Sequence, residues 1–277
     1  MRSRVLIIGF LFSMSVIEGA QANDAYIVRF FANGMGTECA QSVWTDNILF
    51  FNRTSVPATV TLLGVSNGTL RTDAPRELQL PPNRATALRT GPFFRTAFIW
   101  SPLELPPLWV VHLDVPDGVT VESRDEVYAV FVCGLTDDGL PEPEVAGKVS
   151  LPIFRSLVPA GRPQVKLGTD LGYRDSRLNV AIYNAGTEQA NATVEVRRAC
   201  DDSLIESRHV TLPANTIAQF GGFAGTGARC VPELAALYTT VTVDQPSFSY
   251  VSNVSEAPAT LGILPPIGLA VSMSTDY

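Results

Sequence analysis

The stretch "NILFFN" (Asn47–Asn52) opens and closes on asparagine around large apolar residues, and "NVAIYN" (Asn179–Asn184) does the same further along the chain. Both pairs of asparagines are 132 residues apart. Working outward, "ATVTL" (Ala58–Leu62) meets "ATVEV" (Ala192–Val196) at an offset of 134, which implies two extra residues in the preceding loop. "LPPN" (Leu80–Asn83) meets "LPAN" (Leu212–Asn215) at 132, and "LDVP" (Leu113–Pro116) meets "VDQP" (Val243–Pro246) at 130. Last, "VESR" (Val121–Arg124) meets "YVSN" (Tyr250–Asn253) at 129, aligning Ser123 with Ser252. Similar stretches in one order, with nearly constant offsets, imply a tandem duplication. A period this long means two domains with separate cores rather than a solenoid.

The repeated unit reads as β-structure. "ATVTLLGV" (Ala58–Val65), "LWVVHLDV" (Leu108–Val115), "VYAVFV" (Val127–Val132), "ATVEVRR" (Ala192–Arg198) and "LYTTVTVD" (Leu237–Asp244) are rich in β-branched and aromatic residues and bounded by turn formers. "SNGT" (Ser66–Thr69) suits a hairpin turn. The 20 prolines leave little room for long helices, and "VPELAAL" (Val231–Leu237) is the one short helical candidate. The expected fold is all-β, two tandem sandwiches: residues 23–145 and 146–277, with the turn-rich "TDDGLPEPEVAGK" (Thr136–Lys148) as the connection. The repeated asparagines read as turn formers that specify the fold.

Residues 1–22 carry Arg2 and Arg4, a short apolar run from Val5 to Ile17 and the small-x-small "AQA" (Ala20–Ala22), the pattern of a signal peptide cleaved after Ala22. The run is shorter than the roughly 20 residues of a membrane span, and no later stretch is long enough for one. Cleavage removes two positive charges and one negative, taking the net charge from −7 to −8. An acidic chain without a basic cluster has no footprint for nucleic acid. All four cysteines (Cys39, Cys133, Cys200, Cys230) follow the leader, and an even number in an oxidising compartment reads as two disulfides. Three pairings are open. Cys39–Cys133 with Cys200–Cys230 is favoured because each link then closes within one domain. The cysteines do not follow the repeat, since 132 residues before Cys200 and Cys230 stand Gly68 and Phe98.

The string "VWTDNILFFN…LQLPPN…VTVESRDEVY" resembles a module of uncharacterised exported bacterial proteins, with a W-x-T-D-x-x-L-x-N strand, a leucine-proline turn and a late SR-x-x-Y segment. The corresponding residues here are Trp44, Thr45, Asp46, Leu49, Ser123, Arg124 and Tyr128, set as W-T-D-x-x-L and SR-x-x-x-Y, so each segment departs from that spacing by one residue, and the second copy keeps only part of them. The resemblance implies tandem immunoglobulin-like sandwiches in a secreted or envelope protein, and it brings no catalytic residues with it.

Chemistry-bearing groups are sparse. His112 shares a strand face with Asp114, and His209 stands in "SRHVTL", but no G-x-S-x-G elbow accompanies either. The acidic pairs Asp137-Asp138 and Asp201-Asp202 sit in turn contexts without EF-hand spacing, and no cysteines have zinc-knuckle spacing. "GGFAGTG" (Gly221–Gly227) lacks the K-[ST] of a phosphate loop and reads as a flexible loop. The most suggestive segment is "GPFFRTAFIWSPLELPPLW" (Gly91–Trp109), whose Phe94, Trp100 and Trp109 either fill the core or present a ligand surface. The expectation is a secreted or periplasmic, non-enzymatic protein without cofactor or metal. Its role would be structural, adhesive or protein-interacting at the cell envelope, with carbohydrate binding through residues 91–109 as the alternative.

Overall fold

The computed structural model describes residues 23–30, 33–37, 40–66, 77–90, 108–131, 144–149, 152–170, 177–224, 229–231, 234–256 and 267–270. The expected leader 1–22 lies outside them, as do Cys39, Cys133, Phe94, Trp100 and the Asp137-Asp138 pair. In chain order the first copy contains β1 (Asp24–Phe30), β2 (Asn33–Thr37), β3 (Ala40–Asn52), β4 (Ala58–Ser66), β5 (Glu77–Leu80), β6 (Arg84–Thr90), β7 (Leu108–Asp114), β8 (Val119–Phe131), β9 (Glu144–Val149) and β10 (Ile153–Phe154). The second contains β11 (Pro163–Asp170), β12 (Arg177–Asn184), β13 (Ala190–Arg198), β14 (Leu204–Leu212), β15 (Thr216–Ala224), β16 (Arg229–Val231), β17 (Leu234–Val243), β18 (Ser247–Glu256) and β19 (Ile267–Ala270).

The strands form four antiparallel sheets, two per copy, and the orders match. Sheet A runs β10-β1-β7-β4-β5 and its counterpart F runs β11-β17-β13-β14. Sheet B places β3 between β6 and β8, with β9 outside β8, while its counterpart E runs β15-β12-β18-β19. Inward residues of A and B meet in one apolar core that includes Ile27, Phe50, Leu62, Leu80, Trp109 and Leu113. Those of E and F meet in another, with Val180, Ile182, Val194, Leu212, Leu237 and Val241. Each copy is thus two sheets packed face to face.

The ladders also fix which residues are equivalent. Asn52 faces Val119 and Arg84, as Asn184 faces Ser247 and Thr216. Ala58 faces Leu80 as Ala190 faces Leu212, and Leu62 faces Leu113 as Val194 faces Val241. One offset of 132 therefore holds from β3 to β6, and 128 holds for β7 and β8. The expected offsets of 134 and 130 were each two residues too large, a slip that leaves every side chain on its proper face. The offset of 129 was one too large: Ser123 is equivalent to Val251, not to Ser252, which points out of the opposite face. No longer loop precedes β13.

Three local expectations change. Of "VPELAAL", Val231 belongs to β16 and Leu234–Leu237 to β17 rather than to a helix, because β11 and β16 pair with this end of β17 on its two edges and override a weak local helix preference. Gly221–Ala224 belongs to β15 rather than to a loop. Part of the expected connection is β9, which pairs with β8, and β10 then pairs with β1. The expected changeover between residues 145 and 146 falls inside β9, and pairing with the first copy continues to Phe154.

The asparagines that close the two opening stretches are fully buried. Asn52 Nδ2 donates to Val56 O (2.8 Å) and Leu80 O (3.2 Å), while its Oδ1 accepts from Thr54 N (2.9 Å) and Thr54 Oγ1 (2.7 Å). Asn184 Nδ2 donates to Glu188 O (2.8 Å), Leu212 O (3.3 Å) and Pro213 O (2.9 Å), and its Oδ1 accepts from Gly186 N (2.9 Å). Around them the backbone repeats as well. Arg53 N donates to Gly118 O and Ala185 N to Pro246 O, while Asn83 N donates to Thr54 O and Asn215 N to Gly186 O. Asn83 and Asn215, the last residues of the two LP-x-N turns, both have φ of 51°, the left-handed region asparagine tolerates better than most residues. The duplicated corner ties the end of β3 or β12 to the end of β5 or β14.

Candidate functional site

Most strands of a two-layer sandwich alternate between core and solvent, but β1 and β7 do not: Ala25–Arg29 and Leu108–Val111 are buried throughout. Their outward side chains meet those of sheet E. Tyr26, Val28, Leu108 and Val110 pack with Ala181, Tyr183, Ile217, Phe248 and Tyr250, and Phe154 and Leu157 close one side. The stack is aromatic. Phe154 lies on Phe248 with ring centroids 4.0 Å apart, Tyr183 on Phe248 at 4.9 Å, and Tyr26 meets Tyr183 at 6.2 Å. Sheet A is therefore covered on both faces, and the four sheets stack in the order B, A, E, F. A backbone bridge between Val158 and Ser247 adds to the contact.

Two polar side chains at this seam have hydrogen-bond partners. Tyr183 Oη donates to Asn215 Oδ1 at 2.7 Å, so the second LP-x-N asparagine supports the interface. His112 stacks on Tyr26 at 4.2 Å between centroids, and its Nε2 stands 3.0 Å from Asp24 Oδ1. The carboxylate beside His112 is thus Asp24 from the neighbouring strand, not Asp114. Burial, and then the Asp24 carboxylate, push the Tyr26 phenol from 10.0 up to about 12; burial, and then Tyr26, do the same for Tyr183. A phenol that ionises later in the folded than in the unfolded chain contributes stability that is complete below pH 10. That stability is lost as the pH rises toward 12, by roughly 2–3 kcal/mol for each tyrosine taken alone. Urea unfolding between pH 8 and pH 12 is expected to show the loss, and Tyr183→Phe is expected to flatten it.

The other side chains picked out from the sequence lie apart from this seam. Trp109 is 2% exposed in the core of the first copy, and its Nε1 has no hydrogen-bond partner. His209 Nδ1 contacts Thr193 Oγ1 at 3.1 Å on an exposed face. Asp201 shapes its turn by accepting from Ser203 N, Ser203 Oγ and Arg198 Nε, contacts that hold its carboxyl below the usual range, Ser203 contributing most. Asp202, at φ of 60°, accepts from the Tyr238 hydroxyl. Among the described residues no cysteine is free. The two resemblance segments lie on adjacent strands, with Asn47 facing Arg124 and Ile48 facing Ser123.

Sequence reasoning missed the seam and three buried polar groups. Arg29 is fully buried and donates from Nη1 to Ser123 Oγ at 2.8 Å, and Lys166 is 2% exposed. Gln164 bridges Ser247 (3.0 Å) and Ser249 (2.8 Å) inside the second copy. A signal for the seam existed: "AYIV" and "LWVV" are unbroken apolar runs, which mark a strand covered on both faces. Nothing comparable marks Arg29 or Lys166. Compared with known proteins, the chain matches no family model, no curated protein and no solved structure.

Proposed function

We propose that the chain is an exported, non-enzymatic pair of immunoglobulin-like β-sandwiches with a structural, adhesive or protein-interaction role at the cell envelope. The observation that carries this reading is the duplicated corner. The polar side chains kept in both copies, Asn52 and Asn184, direct their hydrogen bonds into their own strand ends, so the duplication preserved a scaffold. The order β3, β4, β5, β6, β7 follows strands B, C, C′, E and F of an immunoglobulin sandwich, with β4 and β5 as the hairpin. The terminal strands are exchanged: β1 lies beside β7 and β8 beside β3, the reverse of the immunoglobulin arrangement.

The disulfide pairing fits the same reading. β13 leaves the edge of β17 at Arg198 opposite Leu237, and β16, which carries Cys230, takes over that edge with Arg229 opposite Ala235. Cys200 stands two residues after Arg198, the strand end whose edge β16 takes over. In the first copy the ladder pair Ala40 and Phe131 is one residue from Cys39 and two from Cys133 in the chain. Mass mapping of the protein recovered from its native cells is expected to find Asn23 as the first residue, with links Cys39–Cys133 and Cys200–Cys230. Recovery with Met1 retained and the thiols reduced would overturn the export reading, and turnover of ester, peptide or glycoside substrates would overturn the non-enzymatic one.

A further inference from the structure

The seam joins two unlike faces, the outer face of sheet A and the outer face of sheet E. Because both copies share one topology, each copy possesses both faces, and among the described residues only one of each is covered. The first copy leaves the outer face of sheet B, the counterpart of E. The second leaves the outer face of sheet F, the counterpart of A.

The ladder equivalences say which residues stand there. Phe51 occupies the position of Tyr183, because Phe51 faces Ala85 as Tyr183 faces Ile217, at the common offset of 132. Val165 occupies the position of Tyr26, because Val165 faces Thr240 as Tyr26 faces His112, where β7 and β17 are offset by 128. Tyr26 and Tyr183 touch one another across the seam and are 6% and 4% exposed. Their counterparts Val165 and Phe51 are 51% and 40% exposed, and among the described residues they are two of five exposed large apolar side chains, with Val56, Leu63 and Leu204. Around Phe51 stand Leu49, Ala85 and Ala87, and beside Val165 stands Tyr238, the counterpart of Val110.

From this geometry we infer that a second copy of the chain docks head to tail, setting the Phe51 face of one molecule on the Val165 face of the next in the manner of the internal seam. The contact is heterologous, so it extends into rows unless the rotation happens to close a ring. It is also weaker than the seam, because Thr120 and Thr240 replace Phe248 and His112. The inference goes beyond the proposed function, because it holds whether or not the chain is exported.

Sedimentation of the purified protein from about 10 μM to about 1 mM, the range of weak specific contacts, is expected to show mass rising with concentration beyond two chains. Phe51→Glu and Val165→Glu, each burying an unpaired charge in the contact, are each expected to weaken association at least about tenfold. Both side chains face solvent in the single chain, so thermal melts of the variants check that folding is intact. Mixing the two variants is the decisive arm. Each retains one sound face, so the mixture is expected to form pairs and stop at two chains. A wild-type protein that stays monomeric throughout overturns the inference. So does association that ignores Val165→Glu, the mark of a symmetric Phe51-to-Phe51 contact, and so does a mixture that fails to pair.

Discussion

Trp109→Ala is expected to destabilise the protein by about 3–5 kcal/mol, the range for truncating a large aromatic in a packed core. Trp109 stands on β7 between Ile27, Leu62 and the other core residues of sheets A and B, at 2% exposure. Its Nε1 has no partner, so the loss comes from packing and cavity formation, with no hydrogen bond removed. The second copy supplies a control, since Leu237 occupies the equivalent position at 2% exposure. Trp109→Leu is accordingly expected to recover roughly half of the loss, and Trp109→Phe more, because each refills part of the volume. Denaturant midpoints at constant slope check the order. A Trp109→Ala protein as stable as the wild type would place this side chain outside the core.

Asn184→Ala is expected to cost about 3 kcal/mol, and Asn52→Ala a similar amount. Each side chain is fully buried and makes hydrogen bonds at both ends of its amide. Alanine strands the carbonyls of Leu212 and Glu188, or of Leu80 and Val56, together with the N–H of Gly186 or Thr54, and an abandoned buried polar group costs about 1–3 kcal/mol. Aspartate is expected to rescue little. It keeps the acceptor for Gly186 N but turns the donor toward the carbonyls into a buried anion. The two substitutions are far apart in the stack and share no partner, so their costs are expected to add. Equilibrium unfolding of the single and double variants measures this.

Strand positions were legible because β-branched and apolar residues are punctuated by Pro, Gly and Asn at intervals a sheet requires. The duplication was legible in the asparagines, because the buried corner tolerates little else. Register was not. "ATVEV" resembles "ATVTL" more than the true counterpart starting at Ala190 does, and residue likeness cannot detect a two-residue slip that preserves the face. The same strand also meets two environments. Phe51 in "NILFFN" faces solvent while Tyr183 in "NVAIYN" lies under sheet A, a difference of neighbours that the local sequence does not carry. The carboxylate partner of His112 was misread for a similar reason. Asp114 is two residues along the same strand, but Asp24, opposite Asp114 on β1 and diagonal to His112, is the carboxylate that reaches the imidazole.

The most direct measurement is a double-mutant cycle on Tyr26 and Tyr183, which belong to different copies and touch only through the stacking of sheet E on sheet A. Tyr26→Ala, Tyr183→Ala and the double variant, compared by equilibrium unfolding, are expected to show a coupling of about 0.5–1.5 kcal/mol, as contacting aromatic pairs do. Strict additivity would mean that the two faces do not meet, and the seam would fall together with the head-to-tail contact inferred from it.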